Sequence, residues 1–146
     1  MNTLSLPPFD YRVKKQKGQF LIFDVIRKRY VLLTPEEWVR QHVIHFLVTY
    51  RNFPAPLIAV EKEVDVCGLK QRFDLLCHDR RGNPLLIVEC KAPTVPLSQT
   101  VFDQVFRYNR SLEARSVMIT NGRIHYCGEM GEDGCFHLLP DIPFFR

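Results

Sequence analysis

Two acidic side chains and one lysine lie near the ends of two short apolar segments in the middle of the chain. Residues 72–77 contain Asp74, and residues 85–91 contain Glu89 and Lys91. A polar stretch with Asp79 and Pro84 separates the two segments, which predicts a β-hairpin. Burying unpaired charges is costly, so we expect the three side chains to pair with one another, with a metal ion or with a ligand.

Alternation of side chains along each strand predicts how these charges are presented. It predicts two apolar faces, formed by Phe73, Leu75 and Cys77 in the first strand and by Leu86, Val88 and Cys90 in the second. Asp74 then lies on the face opposite the first set, and Glu89 and Lys91 lie on the face opposite the second.

The spacing of Asp74, Glu89 and Lys91 resembles that of the PD-(D/E)XK nuclease superfamily, although Phe73 stands where the superfamily usually has proline. Further stretches occur in an order similar to the N-terminal nuclease domain of type I restriction enzyme R (HsdR) subunits: 31–37, 72–74, 88–93, Gln104 with Tyr108 and Asn109, and 120–122. The resemblance covers residues 20–130. It implies an α/β fold, a restriction-endonuclease-like α/β/α sandwich with a central mixed β-sheet flanked by helices.

The resemblance also implies metal-dependent hydrolysis of phosphodiester bonds in DNA. Asp74 and Glu89 offer hard oxygen ligands that suit Mg²⁺ or Mn²⁺ better than zinc. In the family the backbone carbonyl at the position of Cys90 also reaches the metal. Lys91 would orient or deprotonate water or stabilise the phosphate. By the same analogy Gln104 would hold the scissile phosphate or the lysine, and Tyr108 would be a phosphate contact or a core residue.

A second interpretation stays open for the same cluster. Asp74, Glu89 and Lys91 can be an ion-pair network in a domain that keeps the fold without the activity. Such a chain would be a catalytically inactive module for DNA binding or subunit docking. Metal binding that depends on Asp74 and Glu89 discriminates between the two.

A helix start is predicted at residues 34–37, with Thr34 as N-cap, Pro35 at the first helical position and Glu37 at N3 of a capping box. The helix should end at residue 50 or 51. An apolar stripe at helical spacing, made of Val39, Val43, Phe46 and Tyr50, predicts its inward face. On this wheel Glu36 points inward and Glu37 nearly opposite. The family likeness implies that Glu36 contributes to the metal site; the alternative is that it only serves the helix dipole.

The remaining pattern predicts one domain over residues 19–146 after an N-terminal tail at 1–18, of which residues 1–10 are loosely held. Predicted strands lie at 19–24, 30–33, 57–60, 116–120, 123–127 and 135–139, and a second helix lies at 98–112 with Ser98 as N-cap. Its apolar stripe contains Val101, Val105, Tyr108 and Leu112. The chain contains no Walker motif, and it is either a free-standing relative of these subunits or a fragment.

The net charge is +4, and seven of the basic residues fall between residues 11 and 29 beside a single acid, Asp24. These residues are Arg12, Lys14, Lys15, Lys17, Arg27, Lys28 and Arg29. Such clustering suits contact with DNA phosphates, while a solvated face is the alternative.

Five scattered cysteines favour reduced thiols in the cytoplasm. No signal peptide or apolar run long enough to span a membrane is predicted. The expected partners are DNA and restriction-modification subunits or a separate helicase or translocase.

Overall fold

A six-stranded mixed sheet forms the centre of the computed structural model, which describes residues 3–66 and 68–146. Cys67 and the first two residues lie outside the described part. The strand order is β4-β5-β6-β7-β8-β9, with β6 and β7 parallel and the other neighbours antiparallel. The strands are β4 (Ile58–Val66), β5 (Leu69–His78), β6 (Pro84–Cys90), β7 (Ser116–Thr120), β8 (His125–Met130) and β9 (Phe136–Leu139).

One helix covers each face of this sheet. Helix α1 (Pro35–Tyr50) packs Val39, Val43 and Leu47 into the cluster that contains Leu86 and Val88 of β6. Helix α2 (Gln99–Leu112) packs Val105 into the other cluster, which contains Ile87. The predicted α/β/α arrangement and the central hairpin are therefore confirmed. Both predicted N-caps are confirmed as well, since Thr34 accepts from the Glu37 amide and Ser98 from the Val101 amide.

A second, three-stranded antiparallel sheet precedes α1. It consists of β1 (Val13–Gln16), β2 (Gln19–Asp24) and β3 (Arg29–Leu32). The β2–β3 pair was predicted, whereas β1 was assigned to the tail because its four exposed residues carry no apolar alternation. Lys17 and Gly18 make the tight β1–β2 turn, both with positive φ.

The expectation that residues 1–10 are loosely held is wrong for the residues described. Leu4 and Leu6 are buried in the core cluster of α1. The Ser5 amide donates to the Gly122 carbonyl at 2.8 Å, which ties this segment to the turn after β7. The segment is held in place by the burial of Leu4 and Leu6 on either side of this backbone hydrogen bond. The domain boundary at residue 19 stays a prediction.

Helix α1 is buried around most of its circumference between Glu37 and Ile44. The central sheet covers one side, and the three-stranded sheet with the N-terminal segment covers another, through Ile22 and Leu4. The predicted apolar stripe of α1 is wrong at its C-terminal end, because the Tyr50 side chain is exposed there. No helix in the described part of the chain is long and apolar enough to span a membrane.

Candidate active site

Asp74 lies where β5 departs from regular alternation. The β4–β5 pairing runs from Val60 with Leu75 to Lys62 with Phe73, and between them Glu61 adopts a left-handed backbone with φ of 51°. Leu75 packs in the α1 cluster while Phe73 packs in the α2 cluster, so these two side chains do not share a face as predicted. The irregularity lets the Asp74 carboxylate reach the α1 side of the sheet.

Both oxygens of Asp74 accept strong hydrogen bonds. Oδ1 accepts from Nη2 of Arg40 at 2.7 Å, and Oδ2 accepts from the backbone amide of Cys90 at 2.7 Å. The Cys90 amide belongs to β6, one residue beyond Glu89. Asp74 is therefore fixed at the point where the two strands of the hairpin bring their charged residues together.

Glu89 is held next to Asp74. Its position on the face opposite Val88 follows the predicted alternation of β6. Burial, a hydrogen bond shared with Asp74 and the charge of Asp74 together raise the pKa of Glu89 to about 9, against an opposing effect of Lys91. The raised pKa favours the protonated form of Glu89 beside Asp74.

Lys91 reaches the same cluster from the end of β6. Its backbone amide donates to the Thr120 carbonyl at 2.8 Å, which anchors it to β7. Its Nζ lies 4.0 Å from Oε1 of Glu89, and the side chain is 34% exposed. A partly exposed ammonium group beside Glu89 can contact both this carboxyl group and a group arriving from solvent.

The two glutamates of α1 take the reverse of their predicted orientations. Glu37 is the buried one, with a side chain that is 6% exposed, whereas the Glu36 side chain is 46% exposed. The prediction failed because it assumed one buried face, and α1 has two. Glu36 still lies within the field of the site, since burial and the charge of Asp74 raise its pKa while Arg40 and Lys91 lower it.

Arg40 was not predicted, although it lies at the centre of the cluster. Its Nη1 donates to Glu37 at 2.7 Å, and its Nη2 lies 2.7 Å from Asp74, 3.4 Å from Glu36 and 3.5 Å from Glu61. The available signal was its spacing of three and four residues from the two glutamates on one helix. A cavity of about 530 Å³ opens beside it, lined also by Arg27 and by Ala92, the neighbour of Lys91.

Gln104 and Tyr108 lie on α2 and contact each other. Gln104 Nε2 donates to the Tyr108 hydroxyl at 3.1 Å, and the Tyr108 ring meets the Phe73 ring edge-on at 6.4 Å between centroids. Phe73 directly precedes Asp74, so Tyr108 supports the strand that carries the aspartate. The phosphate-binding and catalytic roles of Gln104 and Tyr108 stay predictions.

The donor set fits a divalent cation in part. The two acidic side chains lie so close that the pKa of Glu89 is raised, and a hard cation such as Mg²⁺ would relieve this repulsion. Within the described residues, however, no three His, Cys, Asp or Glu side chains form a group that could hold a metal. Any ion there would depend on Asp74 and Glu89, with waters or backbone oxygens completing its shell.

A six-stranded mixed sheet between two helices, with acidic residues meeting at one hairpin, defines a nuclease-like α/β fold. A family model described as "Type I restriction enzyme R protein N terminus (HSDR_N)" matches residues 35–143. The chain therefore belongs to this family. The matched region contains every candidate site residue, while the three-stranded sheet precedes it.

A solved structure supports the fold. It is a fragment of a putative HsdR subunit of a type I restriction enzyme from Vibrio vulnificus YJ016, with a TM-score of 0.53 and 23% identity over 77% of this chain. The match covers 24% of that chain, so the present chain spans about a quarter of its length. A comparison with curated proteins found no match.

Proposed function

We propose that this chain is a divalent-metal-dependent endonuclease domain that hydrolyses phosphodiester bonds in DNA. The observation that carries the proposal is the Asp74–Glu89 pair, in which burial and a shared hydrogen bond raise the pKa of Glu89 to about 9. Each carboxylate also has a cation near it, Arg40 at 2.7 Å from Asp74 and Lys91 at 4.0 Å from Glu89. The two like charges brought together on neighbouring strands nevertheless favour a cation-binding or catalytic site.

The proposed roles follow from the position of each side chain. Asp74 and Glu89 would hold Mg²⁺ or Mn²⁺ together with the Cys90 carbonyl, and Glu36 would join them from α1. The ion, when bound, neutralises phosphate charge and lowers the pKa of water. Lys91, 4.0 Å from Glu89 and partly exposed, would orient the attacking water or stabilise the charged phosphate. Gln104 would bind the phosphate, with Tyr108 behind it.

The three-stranded sheet is the proposed DNA-binding surface. Six basic side chains on it are exposed: Arg12, Lys14, Lys15, Lys17, Lys28 and Arg29. Three of them lie over aromatic rings of the sheet, Arg12 over Phe23, Lys14 over Tyr30 and Lys15 over Phe20. Because the cations cover the rings, the surface offers charge to phosphates rather than rings for base stacking. Val31 and Leu32 of β3 also line the cavity beside Arg40, so this surface borders the candidate site.

The test is cleavage of supercoiled plasmid with Mg²⁺ or Mn²⁺ by the wild type and by Lys91→Ala. We expect the variant to lose cleavage completely and to keep its melting temperature. The Lys91 side chain is partly exposed, and the substitution keeps the backbone hydrogen bond from residue 91 to Thr120. A control variant, Val88→Asp, should unfold the domain, because Val88 is fully buried and the new charge would have no partner.

Two outcomes would contradict the proposal. If Lys91→Ala cleaves as well as the wild type, the lysine has no catalytic role. If it loses its fold together with its activity, Lys91 is a structural residue and the mechanism is wrong.

A catalytically inactive module for DNA binding or subunit docking is the second candidate. The observation that favours it is the arginine on Asp74 Oδ1, which satisfies one of the proposed metal ligands with a protein cation. This second candidate would be supported if the wild type binds DNA, does not bind Mn²⁺ and does not cleave plasmid. For either function we propose a cytoplasmic setting and assembly with restriction-modification subunits or a separate translocase.

A further inference from the structure

Three carboxylates from three different elements converge on one nitrogen atom. Nη2 of Arg40 lies 2.7 Å from Asp74 of β5, 3.4 Å from Glu36 of α1 and 3.5 Å from Glu61 of β4. This convergence depends on the left-handed backbone of Glu61, since that residue interrupts regular β4–β5 alternation next to Asp74. Convergent oxygens of this kind form the surroundings that cations occupy in proteins.

Arg40 is locked into this position from behind. Its Nη1 donates to Glu37 at 2.7 Å, and Glu37 also accepts from Arg27 at 2.7 Å and from Gln41 at 3.1 Å. The arginine side chain is 6% exposed, and its Nε has no hydrogen-bond partner in the structure. Such a buried, incompletely satisfied guanidinium is costly unless its charge is needed where it lies.

We propose that the Arg40 guanidinium fills a second cation position in this site, so that the domain takes one divalent ion and not two. The inference rests on the proposed function, because it assumes that Asp74 and Glu89 hold the first ion. Asp74 divides its two oxygens between Arg40 and the Cys90 amide. An additional ion shared by Asp74, Glu36 and Glu61 would meet the positive guanidinium at bonding distance from the same oxygens.

Arg40 thus contributes a fixed positive charge next to the place where the phosphate would react. A single arginine can supply charge neutralisation of the kind that a second metal ion provides in two-metal sites. Unlike an ion, it does not dissociate when the metal concentration falls.

The experiment counts Mn²⁺ ions per chain by titration calorimetry and by electron paramagnetic resonance, on folded, metal-stripped protein. We expect one ion in the wild type and two in Arg40→Gln, with spin coupling between the two ions in that variant. Arg40→Lys, which keeps the charge, should bind one ion. A matched control is Arg51→Gln, which removes an arginine paired with Asp141 away from the site and should also bind one.

The number of ions bound by the wild type can overturn the inference even where Arg40→Gln is unstable. Two ions in the wild type overturn the inference, and so does a folded Arg40→Gln that still binds one. A failure of the proposed function has a different signature. In that case the wild type and Asp74→Ala give the same result, with no bound Mn²⁺, and an ion gained by Arg40→Gln would still support Arg40 as the occupant of a cation position.

Discussion

Arg27 and Lys28 are neighbours in the turn between β2 and β3, yet their side chains have opposite surroundings. Arg27 is mostly buried, with Nε 2.6 Å from Asp24 and Nη2 2.7 Å from Glu37. Lys28 is exposed, and among the described residues none forms an ion pair with it. The sequence predicted that the basic cluster with both residues would either contact DNA or form a solvated face. The structure is inconsistent with either role for Arg27, which is mostly buried and paired with two carboxylates.

The same contrast separates two larger regions. Around the start of α1, Arg27 and Arg40 bind carboxylates of four elements and connect the small sheet to Asp74. On the three-stranded sheet, the exposed basic side chains of β1 and of the turns form no ion pair among the described residues. Paired and buried charges fix the geometry of a site, whereas unpaired and exposed charges are free to bind an external anion.

Arg27→Ala should have the largest effect on stability. It removes a partner from two buried carboxylates and leaves Asp24 without a cation, while Glu37 keeps Arg40. We expect a loss of about 3 kcal/mol in the free energy of unfolding, measured by urea denaturation. DNA affinity of the fraction that remains folded should keep the salt dependence of the wild type.

Lys28→Ala is the matched control, one residue away. Its stability should stay within about 0.5 kcal/mol of the wild type, because the side chain is exposed. The logarithmic salt slope of DNA binding should fall by about one unit. If the two variants behave alike in both measurements, the contrast between the two regions has no energetic meaning.

How far the sequence could predict the site depends on how local each signal is. Thr34, Pro35 and Ser98 act within one turn of their own helix, and the helix starts were predicted correctly. The faces of Leu86 and Val88 followed from simple alternation. Asp74 did not, because its orientation depends on the backbone of Glu61 in the neighbouring strand.

Arg40 and Glu37 show the same limit in the packing of helices. A helical wheel with one buried face excludes Glu37 from the interior. The second sheet that buries the other side includes β1, whose exposed residues gave no strand signal. Charges that are paired across such a packing interface lie far apart in sequence, as Arg40 and Asp74 do, and no short motif reports them.

Glu89→Gln tests the buried region by its dependence on pH. The pKa of Glu89 is raised from 4.5 to about 9, so the folded state binds a proton that the unfolded state has lost in the interval between these values. Stability of the wild type therefore falls as pH rises through that interval. The glutamine cannot ionise, and its amide can still donate to Asp74.

In metal-free buffer we expect Glu89→Gln to be more stable than the wild type by about 2 kcal/mol at pH 8. The difference should shrink as the pH falls to 4.5 and towards zero below it, where Glu89 becomes protonated in the unfolded state as well. Thermal melts with chelator at several pH values measure this. An advantage of equal size at pH 4.5 and pH 8 would show that titration of Glu89 is not its cause.

A small effect on stability and a clear effect on binding are expected on the exposed sheet. Lys14 and Lys15 lie in β1, on opposite faces of an edge strand, with their ammonium groups over the Tyr30 and Phe20 rings. Replacing both with glutamine removes two charges and should change the unfolding free energy by less than about 1 kcal/mol, since exposed cation–π contacts are weak.

If both lysines contact phosphates, the logarithmic salt slope of DNA binding should fall by about two units. Fluorescence anisotropy with duplex DNA measures this slope, in a Lys91→Ala background that prevents cleavage. A fall of one unit would assign the contact to one face of the strand, and single variants would show which. An unchanged slope would leave this sheet as a solvated surface, and the contrast with the buried arginines would then be one of burial only.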